Sequence, residues 1–179
     1  MKYIRPLFSI ATIFILIGCG PAPKEYIVAS NEAKIIPNDD VVESSTEVEQ
    51  TLNNIFEIKW LTIYGLQFDY AGYLTISITD PAGTEIILSD GSGGSYDFDG
   101  DYNFREREWT EYQLDDNPPV TNGKIDTSPY TYYGVAEGQF LSNMEGDPVN
   151  GTWTLKIGND SNFYSGSFDG WDLGLTYFE

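Results

Sequence analysis

Residues 150–157 read NGTWTLKI, and residues 166–177 read GSFDGWDLGLTY. In the first stretch Trp153, Leu155 and Ile157 alternate with Thr152, Thr154 and Lys156. In the second, Trp171, Leu173, Leu175 and Tyr177 alternate with Asp172, Gly174 and Thr176. A period of two sends alternate side chains to opposite faces of an extended chain, so each stretch predicts a strand with one apolar side. Trp153 and Trp171 are the expected core anchors.

The same period extends upstream. Phe56, Ile58, Trp60, Thr62 and Tyr64 share a face of a strand predicted to end at Gly65, which makes Trp60 a third expected core residue. Leu74, Ile76 and Ile78 alternate with Thr75, Ser77 and Thr79 up to Asp80-Pro81-Ala82-Gly83. There proline fixes one turn dihedral and glycine supplies the positive φ that follows, and Glu85 to Leu88 returns as the second arm of a hairpin. Ser89 to Asp101 shows no apolar period and reads as a Gly/Ser/Asp loop. Aromatics make up 15% of the chain, Gly occurs 18 times, and long helical periodicities are missing. The expected class is all-β: a jelly-roll-like antiparallel β-sandwich of about eight strands.

The first residues read as a processing segment. Lys2 and Arg5 form a positive start, and Leu7 to Ile17 is almost wholly apolar but short for a comfortable membrane span. The run ends in Leu16-Ile17-Gly18-Cys19, the pattern of a bacterial lipobox: small residues for the signal peptidase, then a thiol to carry lipid. Cys19 is the sole cysteine, so it is available for lipidation and no disulfide can form within the chain. The expected division is a signal peptide over 1–18, a lipidated tether over 19–34 and one sandwich domain over 35–179. Gly20, rather than an acidic residue, follows the cysteine, which favours the outer membrane or cell surface. Multiple acyl chains on Cys19 would anchor the chain to a membrane stably.

With Ile78 to Leu88 (ITDPAGTEIIL), the NGTWTLKI and GSFDGWDLGL stretches resemble the P domain (P/Homo B domain) of proprotein convertases and bacterial subtilisin-like proteases. Further matching segments fall in family order: Gly93 to Ser95, then Phe140-Leu141-Ser142-Asn143 with Gly146. The resemblance spans roughly residues 35–177, with Ile36-Pro37-Asn38-Asp39 as its opening and Val41 to Val48 as its first strand. Two departures stand out. Phe68 occupies a position where many relatives have His, with Gly72-Tyr73-Leu74 in place of their GDL. Residues 117–131 are longer than usual.

The resemblance implies a galactose-binding-domain-like sandwich that supports a protease without cutting, here behind a lipoprotein signal and with no catalytic domain. It implies a protein partner, such as an exported protease or another envelope protein. It also raises the expectation of a structural Ca²⁺.

Composition limits the chemistry. The chain has no histidine, which rules out a Ser-His-Asp triad, a Cys-His dyad and a histidine zinc site within it. A net charge of −19 repels nucleic acid. Removing residues 1–18 would take away two basic groups and no acidic one.

Asp97-Phe98-Asp99-Gly100-Asp101 has hard oxygen donors at alternate positions around a glycine, a pattern suited to calcium, with Asp90 and Asp160 as further candidate ligands. Arg105 and Arg107 would share one face of a strand and offer a partner surface. Tyr130, Tyr132 and Tyr133 could form an aromatic platform for a glycan, the alternative reading of the domain. Asn150-Gly151-Thr152 and Asn159-Asp160-Ser161 match the glycosylation sequon and are taken as chance matches in a bacterial lipoprotein.

Overall fold

A computed structural model describes residues 22–91, 97–105, 124–127, 130–134 and 139–178. Among them are twelve strands in two sheets. The first sheet contains β1 (Lys24–Ser30), β2 (Lys34–Ile36), β4 (Ile55–Phe68), β7 (Phe98–Arg105), β8 (Lys124–Thr127), β9 (Tyr130–Gly134), β11 (Gly166–Phe168) and β12 (Gly170–Tyr177). Its order is β1-β12-β4-β7-β9-β8, with β11 joining β4 to β2. The second sheet is β3 (Asp40–Val48), β10 (Gly151–Asn159), β5 (Leu74–Thr79) and β6 (Glu85–Asp90), in the order β3-β10-β5-β6. All pairings are antiparallel except β7 with β9.

The inner faces are the ones the alternation selects. Trp153, Leu155 and Ile157 of β10 and Leu74, Ile76 and Ile78 of β5 meet Trp171, Leu173 and Leu175 of β12 in a single core. Trp153 and Trp171 are fully buried. Each indole N–H has an acceptor, as burial demands: Trp153 Nε1 donates to the Val149 carbonyl at 2.8 Å, and Trp171 Nε1 donates to Ser44 Oγ at 3.1 Å. Ser44 also bonds Ser30 at 3.1 Å, so a buried polar thread ties β1 and β12 to β3 of the opposite sheet.

The β5–β6 hairpin turns at Asp80 to Gly83, with Gly83 at φ 91°. Asp80 is 3% exposed. Its Oδ1 accepts the Thr84 amide at 2.8 Å, while the Thr84 hydroxyl donates to Asp147 Oδ2 at 2.8 Å. The other oxygen, Asp80 Oδ2, is buried without a donor. Burial, then the neighbouring Asp147, push the Asp80 carboxyl up to about 6, against the opposing pull of the Thr84 amide.

Four expectations are corrected. Residues 24–30 are not tether but β1, paired with β12 along its whole length from Lys24↔Tyr177 to Ser30↔Trp171, with Val28 buried. Strand β4 does not end at Gly65 and does not keep strict alternation. Its buried apolar residues are Ile55, Ile58, Leu61, Ile63, Leu66 and Phe68, because irregularities in its pairing with β12 and β7 shift the phase.

Trp60 is therefore on the outer face, half-buried, with its ring against Gly174 so closely that a Cβ there would strike it. Lastly, Phe98 to Asp101 belongs to β7 rather than to a loop.

Candidate functional site: an aromatic and acidic end of the sandwich

The β4–β5 connection and the β10–β11 loop meet at one end of the sandwich. Asn159, buried at the end of β10, holds the loop in place. Its Nδ2 donates to the carbonyls of Pro37 and Tyr164, both at 2.7 Å, and its Oδ1 accepts the Ser161 amide at 2.9 Å. Ser161 Oγ then accepts the amides of Phe163 and Tyr164 at 3.1 Å. The Asn159 sequon is thus a structural clip whose amide nitrogen is already engaged.

Opposite, Tyr70 sits at φ 64°, ψ 74°, a left-handed conformation that costs a bulky residue free energy. The Tyr70 amide donates to Asp97 Oδ1 at 3.1 Å, and the Tyr73 amide closes a tight turn on the Tyr70 carbonyl at 3.0 Å. The Tyr73 carbonyl accepts the Asp160 amide at 3.0 Å, which joins the two segments.

The result is a cluster of three tyrosine rings. Centroids of Tyr70 and Tyr164 lie 4.9 Å apart, those of Tyr73 and Tyr164 5.9 Å, and those of Tyr70 and Tyr73 6.4 Å. Desolvation, then Tyr70 beside it, push the Tyr164 hydroxyl above its ordinary value. Tyr70 and Tyr73 are each 41% exposed, and Phe163 on the same loop is 86% exposed.

An open cleft of about 410 Å³ is lined by Asp69, Asp97 and Asp99 and by residues 165–167, which follow Tyr164 in the chain. Gly166 lets that wall form: a Cβ there would collide with the Gln67 carbonyl and the Phe68 ring.

The candidate calcium ligands separate. From Asp97 into β7 the Asp-x-Asp-x-Asp spacing is the alternation of an extended chain, with Phe98 buried between the exposed Asp97 and Asp99. Residues at i and i+2 share one face of an extended chain, with their Cβ atoms about 7 Å apart. Asp97 and Asp99 share the cleft. Asp101 instead accepts the Gly65 amide at 2.9 Å and secures the irregularity in β4.

Asp90 ends β6 opposite Thr75. Asp160 stands exposed beside Tyr73. Among the described residues no three acidic side chains come together as a metal site.

Cys19 and Arg107 lie outside the described residues. Arg105 ends β7, and Tyr130, Tyr132 and Tyr133 belong to β9, paired with β8 from Lys124↔Tyr133 to Thr127↔Tyr130. Sequence reading missed the tyrosine cluster because its members are scattered along the chain and the Tyr70 backbone conformation has no sequence signature.

The chain resembles, at 14% identity and a TM-score of 0.49, the crystal structure of the Aeromonas sobria serine protease in complex with its chaperone, covering 89% of this chain and 28% of that one. The Aeromonas sobria protease alone gives a TM-score of 0.47 at 14% identity, with 88% and 27% covered. This chain thus spans little more than a quarter of those proteases' length. No curated protein matches it. The family model of the proprotein convertase P domain matches residues 62–175, from the middle of β4 to near the end of β12. The match covers well over half of the chain, which belongs to the proprotein convertase P-domain family.

Proposed function

We propose that this chain is a non-catalytic, lipid-anchored P-domain module of a bacterial envelope that works by binding another protein, with an exported subtilisin-like protease as the first candidate. The observation that carries this reading is the P-domain match across the sandwich in a chain without histidine, the general base that most serine and cysteine peptidases need. The anchor rests on the lipobox-like Leu16 to Cys19 behind a short apolar run, and Gly20 favours the outer membrane or surface. Among the described residues no helix is long and apolar enough to cross a membrane.

Two measurements test the two halves. Cell fractionation of the full chain and a Cys19→Ser variant addresses the anchor: the parent should sediment with membranes and the variant should not. Co-purification with a defined exported protease addresses the partner, read as a stoichiometric complex and a higher melting midpoint of the protease. A protease unchanged in both respects, alongside retention of the chain on polysaccharide, would replace this reading with the glycan-binding one.

A further inference from the structure

We propose that the Tyr70–Tyr73–Tyr164 patch and the acidic cleft beside it form one docking surface, whose occupant is an extended basic segment of a protein partner. The inference rests on the reading that this module binds protein, and it names the chemistry of what is bound.

Exposure comes first. Phe163 is 86% exposed and two of the three tyrosines are 41% exposed, yet the loop that presents them is fixed by the buried Asn159 and by Ser161. A rigidly held aromatic surface in water marks a contact site more often than a scattered apolar residue does.

Charge selects the occupant. The cleft is lined by Asp69 and Ser165, the chain neighbours of Tyr70 and Tyr164, and by Asp97, which accepts the Tyr70 amide, together with Asp99; none of its nine described lining residues is basic. The chain as a whole carries −19, so a cationic segment is steered toward it.

Spacing refines the choice. No third acidic side chain joins Asp97 and Asp99 as a metal site among the described residues, and their Cβ atoms repeat at about 7 Å, which is also the spacing of alternate side chains on an extended peptide. Arginine or lysine at alternate positions can thus meet one carboxylate each, while neighbouring cations or their aliphatic stems lie over tyrosine faces. A neutral sugar would use the rings and donate hydroxyls to the carboxylates, but it would gain no charge pairing from them and no steering by the net charge.

The test titrates the full chain with an oligoarginine peptide by calorimetry at low and raised salt. Three variants are compared with the parent. Asp69→Asn with Asp97→Asn removes two charges from the cleft and leaves an acceptor for the Tyr70 amide. Phe163→Ser alters a residue with little burial to lose. Glu43→Gln with Glu49→Gln removes the same number of exposed charges at and beyond β3.

Salt-sensitive binding should weaken roughly five- to tenfold in the cleft double variant and about threefold in Phe163→Ser. It should change less than about twofold in the β3 control. Equal weakening in the cleft and control variants would mean a diffuse acidic field and overturn the proposal. So would absence of peptide binding, or tighter binding of a neutral oligosaccharide than of the peptide. A protease complex insensitive to the cleft variants would sink this inference and leave the proposed function standing. Peptide binding at the cleft without any protease complex would do the reverse.

Discussion

Asp80 shows what one buried carboxyl does to the molecule. Its folded value of about 6 lies above the ordinary 3.8, so between those values the folded chain holds a proton that the unfolded chain has released. The contribution of Asp80 to stability is then complete below about pH 4 and is lost as pH rises through about 6. The loss is on the order of 2 kcal/mol. Asp80→Asn imitates the protonated acid and keeps the acceptor for the Thr84 amide. Its urea stability is expected to lose the Asp80 part of the decline over this interval and to exceed the parent's near neutrality. Parallel pH slopes in parent and variant would assign the titration to another group.

Trp153→Ala is expected to cost about 3–5 kcal/mol in the same measurement, through lost burial and the cavity left behind. A loss below about 1 kcal/mol would contradict its place in the core. Both tryptophans were legible from their neighbours' alternation. The site was not, because Tyr70, Tyr73 and Tyr164 become neighbours only through the Asp160–Tyr73 backbone bond and a left-handed turn.

Strands with clean alternation and marked turns, β5, β6, β10 and β12, could be read directly. Three others could not, each for its own reason. β1 lies just after Pro21 and Pro23, where polar and apolar residues mix, and it is ordered by its partner β12 rather than by its own pattern. β4 slips phase at its irregularities, which turned Trp60 outward. β7 has Gly100 where an apolar residue would complete the series Phe98, Tyr102, Phe104, so its alternating aspartates looked like metal ligands. A substitution separates strand from tether at β1: Val28→Ala should lower urea stability by about 1–2 kcal/mol. The same change in a solvated tether would leave stability unaltered.

For the whole molecule, sandwich architecture and family were both accessible from motif order, because the turn and strand residues that define them are local. Metal binding was less so, since carboxylate spacing along a chain does not say whether the chain is extended. As the described carboxylates do not converge, excess calcium and excess magnesium are expected to move the melting midpoint alike and by no more than about 2 °C relative to chelator. A saturable, calcium-selective rise above about 4 °C would show a calcium cage and overturn that expectation.

The pairing of Lys24 with Tyr177 also sets how the domain bears load. The first and last of the described strands are antiparallel neighbours, so Lys24 and Tyr177 lie side by side. Tension between those points acts across the ladder and opens it one rung at a time, like a zipper, rather than shearing all seven pairs together. A force applied at both ends would therefore peel β1 away first while the sheet of β3, β10, β5 and β6 stayed folded. That gives the module a mechanical fuse at its edge.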